Sequence, residues 1–98
     1  MTRQFLPEAS AELCEAADYY ESRQEGFGWR FRNEILEICH LIVQQPLVWR
    51  ERPDGCRRLN CPVFPYYVAY FIRDDLILVA AVAHGHRRPN YWKDRLSS

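Results

Sequence analysis

Lysine is all but absent from this chain. Lys93 stands alone among 13 basic side chains, the other 12 are arginine, and 13 acidic groups bring the formal net charge to zero. A neutral chain lacks the broad positive field with which proteins hold nucleic acid through counterion release. Long apolar runs are missing as well: the unbroken stretch Leu76–Ala83 falls far short of the ~20 residues a membrane-spanning helix requires. Pro7, Glu8 and Glu12 interrupt any apolar region behind the charged start. No secretory signal and no membrane partner are therefore expected, and the expected location is cytoplasmic. Cys14, Cys39, Cys56 and Cys61 form no CxxC pair. Structural zinc ligands come as tight paired knuckles and reducing compartments disfavour disulfides, so neither a metal site nor a disulfide framework is expected. Glycine-rich phosphate loops, GxSxG and HExxH are absent too, and no cofactor is expected.

What is present describes a folded domain. The 98 residues are 48% hydrophobic, 14% aromatic and 27% charged. That composition excludes a disordered chain, and the length suits a single domain, residues 1–98, with one core. The zero net charge hides an asymmetry. Residues 1–49 carry four basic and eight acidic side chains, a balance of −4, whereas residues 50–98 carry nine basic and five acidic ones, a balance of +4. Arginine offers a planar, always-charged fork for phosphates and carboxylates, so the second half is a candidate anion-binding surface.

Hydrophobic spacing orders the elements. Thr2–Leu6 reads as a short strand closed by Pro7. Ala9, Leu13, Ala16, Ala17 and Tyr20 recur at helical spacing, with Glu8, Glu12, Glu15 and Glu21 off that stripe, predicting a helix from Glu8 to near Glu25. Gly26-Phe27-Gly28 marks a turn, and Phe31, Ile35, Ile38, Cys39 and Ile42 predict a second helix from about Gly28 to Gln45, stopped by Pro46. Three strands follow, at Cys56–Asn60, Tyr66–Arg73 and Leu76–His84, with Asp74-Asp75 as a hairpin turn. The last strand is nearly all apolar, as in a central strand covered on both faces. Tyr19, Tyr20 and Trp29 are expected to pack the helices on the sheet, Trp49 to lid the core, and His40 to be partly buried. Cys14 and Cys39 are read as small helical hydrophobes. The carboxylates read as a solvated helix face, which argues against a paired-carboxylate hydrolase.

Chemistry-bearing residues crowd the end of the last strand: His84-Gly85-His86-Arg87-Arg88-Pro89-Asn90-Tyr91-Trp92. Imidazole shuttles protons near neutral pH, guanidinium holds phosphate, and aromatic rings stack on bases. Arg57 and Arg58 on a neighbouring strand complete the parts of a metal-independent ribonuclease. The same parts serve plain partner binding.

Several stretches, in order, resemble the RelE/ParE superfamily of small toxins from bacterial toxin–antitoxin modules, in its plasmid-stabilisation, ParE-like branch. They are Ala16-Ala17-Asp18-Tyr19-Tyr20-Glu21, Gly26-Phe27-Gly28 with Phe31 and Ile35, Arg57-Arg58-Leu59, Phe64-Pro65-Tyr66, Val68-Ala69-Tyr70, and Val82-Ala83-His84-Gly85-His86-Arg87-Arg88-Pro89 with Trp92. The resemblance covers nearly the whole chain. It implies an α+β fold: a strand, a helical hairpin and a three-stranded antiparallel meander, with two helices packed on one face of a small sheet. It also implies a cognate antitoxin, encoded beside the toxin, whose tail wraps it in a hetero-oligomer.

Three functional readings stay open. A ParE-like toxin would inhibit DNA gyrase by binding it. A RelE-like toxin would cut mRNA on the ribosome, with His84 as general acid or base and Arg58 and Arg87 as phosphate clamps. Arg57, His86, Arg88, Tyr91 and Trp92 would bind target or nucleic acid in either case. A degenerate member would keep the fold without toxicity. The chain departs from the nuclease pattern at Tyr67, where many relatives carry arginine, and in its neutral charge. His86 and Arg88 replace the usual arginine and aspartate of the ParE-like signature.

Overall fold

The computed structural model describes residues 1–96, and 97–98 of the predicted tail lie outside them. Strand β1 (Thr2–Phe5) leads into helices α1 (Pro7–Arg23) and α2 (Phe27–Gln44). Strands β2 (Arg57–Asn60), β3 (Tyr66–Arg73) and β4 (Leu76–His84) follow, and a 3-10 turn, Lys93–Leu96, ends the described chain. The sheet order is β1-β4-β3-β2. β4 is central, parallel to β1 and antiparallel to β3. The α+β class and the helical hairpin match the sequence reading. Element boundaries shift by one or two residues, and Pro7 changes role: it opens α1, where its fixed φ fits and no N–H is needed.

The predicted stripes are the buried ones. Ala9, Leu13, Ala16 and Ala17 of α1 and Phe31, Ile35, Ile38, Cys39 and Ile42 of α2 meet Val68, Tyr70, Ile77, Val79 and Val82 in one core. Trp49 packs against its margin, as a lid should. Tyr20 joins Phe31, Phe64 and Tyr66 in a ring cluster, with centroids 5.3, 4.8 and 6.1 Å away. Trp29, Tyr19, His40 and Cys14 depart from expectation. Trp29 is 68% exposed and Tyr19 52%, and His40 and Cys14 are exposed as well. Trp29 lies two residues from Phe31, and His40 two residues from both Ile38 and Ile42. At about 100° per residue those offsets point away from the core.

Glu21 has more to do than face solvent. Its carboxylate accepts hydrogen bonds from the Gly26 N–H (3.0 Å) and the Gly28 N–H (3.0 Å), so α1 caps the first turn of α2. Gly26, at φ 89°, makes the turn.

The other face of the sheet is covered by the tail. Trp92 is fully buried against Tyr67, Ala69, Ala80, Ala81, Ala83 and Cys56. β4 therefore has apolar partners on both sides, and this second cover supplies what its pattern required. Among the described residues no helix is long and apolar enough to cross a membrane.

The cysteines are free. Burial raises the Cys39 thiol to about 11, and burial with the Glu34 carboxylate raises Cys61 to about 12. Cys56 is also raised by burial. Only thiolate reacts, and a two-unit rise removes about 99% of it. At pH 8 a thiol reagent should modify Cys14 at least about 100-fold faster than Cys39 or Cys61. Peptide mapping over time measures this, and Cys61 labelling at the rate of Cys14 contradicts it.

Candidate functional site at the end of the central strand

β1 ends at Phe5, paired with Val79, so β4 runs on alone on that side from Ala80 to His84. A bulge falls there: Ala69 pairs with Ala81 but Tyr70 with Val79, leaving Ala80 extra. Side chains take the place of the missing strand. Glu12 of α1 accepts a hydrogen bond from the Val82 N–H at 3.1 Å, and Arg95 donates to the Ala80 carbonyl at 2.9 Å. Glu12 and Arg95 also form a two-pronged pair, both contacts 2.9 Å. The Tyr91 hydroxyl donates to the same carboxylate, and Arg87 lies 3.9 Å from it. Only 13% of the Glu12 side chain and 16% of Arg95 are exposed. Two guanidinium groups lie over the Tyr91 ring, Arg87 at 3.9 Å from its centroid and Arg95 at 5.1 Å. Burial, then the hydrogen bond to Glu12, raises the Tyr91 hydroxyl well above its ordinary value. Neither Glu12 nor Arg95 stood out in the sequence. The one available signal was the four-residue spacing of Tyr91 and Arg95 behind an acidic helix.

The predicted site residues converge only in part: His84 and Arg87 line one cleft, and Arg58 lies on the other face of the sheet. His84 pairs with Tyr66 across the sheet, on the helix-facing side. The two rings are 5.1 Å apart, and the His86 N–H donates to His84 Nδ1 at 3.0 Å. Arg58 pairs with Ala69 and points to the opposite face. Its guanidinium stacks on Tyr67 (4.8 Å) and Trp92 (4.9 Å) and donates to Asn90 Oδ1 at 2.9 Å. Arg57 turns the other way, donating to the Trp49 carbonyl at 2.7 Å and lying 3.6 Å from Glu51. With 14% of its side chain exposed, Arg57 braces the loop before β2 instead of offering a binding surface. Trp92 is buried, so its expected stacking on a base is corrected: the ring is spent on the sheet. His86, Arg87 and Arg88 remain exposed at the strand end.

Between α1 and this strand end lies a cleft of about 180 Å³, walled by Glu12, Glu15, Tyr19, Tyr66, His84 and Arg87. Two glutamates, one histidine and one arginine line it. Among the described residues no group of three or more His, Cys, Asp or Glu side chains is placed to hold a metal ion.

A helical hairpin on a β1-β4-β3-β2 sheet, with its polar residues gathered at the end of the central strand, defines a small α+β protein of the ParE toxin class. The chain belongs to the family described as the ParE toxin of the type II toxin–antitoxin system parDE, whose model matches residues 4–89. It is a type II toxin of the ParE kind. A solved structure described as the chromosomal ParDE TA system from P. aeruginosa is similar in fold. Its TM-score is 0.76 at 18% identity, over 86% of this chain and 95% of that chain. No match emerges among curated protein sequences.

Proposed function

We propose that this toxin acts by binding a protein target, DNA gyrase, and that a cognate antitoxin neutralises it. The observation that carries the reading is the separation of His84 and Arg58 on opposite faces of the sheet. Cutting a phosphodiester needs the proton-transfer group and the cations around one phosphate. Here the imidazole shares its cleft with Arg87, but that guanidinium lies against Glu12, and the unpaired Glu15 on the same wall repels a phosphate. Exposed Arg87 and Arg88, beside the exposed His86, give the strand end a cationic rim suited to an acidic protein surface. Purified protein should inhibit gyrase supercoiling and leave cell-free translation running. His84→Ala should keep that inhibition within about threefold, whereas loss of a general acid–base group costs on the order of 10²–10⁴-fold. Untouched supercoiling with halted translation overturns the reading in favour of a RelE-like, ribosome-dependent endoribonuclease. Normal growth on expression without antitoxin selects the non-toxic alternative.

The antitoxin has a suitable seat on the outer face of α2. Leu36 and Leu41 are 40% and 49% exposed, and with Glu37 and His40 they line an open groove. An amphipathic helix lays its apolar face into such a groove. The pair Leu36→Glu and Leu41→Glu should weaken antitoxin binding by at least about 10-fold in calorimetry, since buried apolar anchors dominate interfaces of this kind. Unchanged affinity places the antitoxin elsewhere.

A further inference from the structure

The cleft beside α1 holds one carboxylate that no internal contact uses, next to a tyrosine, Tyr19, whose ring already carries the Arg23 guanidinium at 5.2 Å. Glu12 commits its carboxylate to Val82, Tyr91 and Arg95. Glu15, three residues on and lining the same cleft, makes no hydrogen bond or ion pair among the described residues. Tyr19 and Tyr66 line that space too, each set edge-on to Tyr20, at 5.4 and 6.1 Å between centroids. One guanidinium already rests on the neighbouring wall. Arg87 lies over the Tyr91 ring and beside Glu12, with 57% of its side chain exposed.

Three kinds of group could enter. An anion would meet the carboxylates of Glu12 and Glu15. An aliphatic chain would desolvate Glu15 without pairing it. A planar cation stacks on tyrosine and forks onto a carboxylate at once. We propose that the cleft receives an arginine side chain presented by a partner protein, held between Tyr19 and Tyr66 and paired with Glu15. The acidic balance of residues 1–49, −4, favours approach of such a basic segment. The inference goes beyond the reading of the toxin's target, because it concerns the chemistry of the cleft and holds whichever partner supplies the arginine.

The test needs neither gyrase nor antitoxin. Nα-acetyl-L-arginine amide is titrated into the full chain and followed by NMR, with the neutral isostere Nα-acetyl-L-citrulline amide and inorganic phosphate as controls. The arginine probe should shift the Tyr19, Tyr66 and His84 ring signals saturably, and citrulline should not. Glu15→Gln and Tyr19→Ala, both at exposed positions, should each weaken the probe about threefold, the weight of one exposed ion pair or ring contact. The melting temperature of Glu15→Gln should stay at the wild-type value, whereas Tyr19→Ala also gives up the Arg23 and Tyr20 contacts and should melt slightly lower. Equal shifts from citrulline, a cleft response to phosphate alone, or full affinity in Glu15→Gln overturns the proposal.

Discussion

Replacing Glu12 with alanine should destabilise the fold by about 3–5 kcal/mol, the cost of breaking a largely buried ion pair from one side. The carboxylate ties three parts of the chain together: α1, the unpaired stretch of β4, and the tail. Its loss leaves Arg95 as a largely buried cation whose remaining bond is to the Ala80 carbonyl. The Val82 N–H loses its acceptor, and an unmade bond at a buried amide costs about 1–3 kcal/mol. The Tyr91 hydroxyl is freed too. Trp92, next in the chain, covers the second face of the sheet, so the tail should loosen before the hairpin does. Hydrogen exchange should quicken at Val82 and through 90–96 in Glu12→Ala, with the α2 amides slower to respond. Glu12→Gln keeps an acceptor for Val82 and should cost less than alanine. Urea denaturation measures both variants. A loss under about 1 kcal/mol for Glu12→Ala would mean that the network is ornamental.

Hydrophobic spacing made the scaffold legible, because burial repeats with the geometry of the element that causes it. Ala9, Leu13, Ala16 and Ala17 lie on one helical stripe, and the apolar run of β4 demanded cover on both faces. The site was less legible. Charged residues carry no period, and one residue decides which face of a strand a side chain takes. Arg57 and Arg58 are adjacent and read alike in the sequence, yet one braces a loop and the other stacks on Trp92. Glu12 sat among acidic neighbours of the same helix. Its task is set by a β-bulge about 70 residues on, a tertiary feature invisible to local pattern. Trp92 is hidden from the sequence for a related reason. An aromatic residue in a basic tail looks like a stacking platform until the sheet face it covers is known.

Gly28→Ala should destabilise by about 2–3 kcal/mol, the upper part of the range for overpacking a tight contact, although alanine is the better helix former. Gly28 is inside α2, and its φ needs no glycine. The requirement is space. A β-carbon there would lie 2.5 Å from the Ala17 carbonyl oxygen and 3.0 Å from the Glu21 side chain. The first neighbour is α1 backbone, which moves only if the hairpin spreads. Spreading also lengthens the bond from the Gly28 N–H to Glu21, which caps α2. The helical gain from glycine to alanine, about 1 kcal/mol, cannot offset both losses. Gly26 is the internal control. Its φ of 89° disfavours a side chain, but a β-carbon there meets nothing within 4 Å. Gly26→Ala should therefore cost only about 1–2 kcal/mol of backbone strain. Urea midpoints of the two variants, read side by side, separate crowding from conformation. If Gly26→Ala proves the more damaging, the turn sets the hairpin; the 2.5 Å approach predicts that the helix contact sets it.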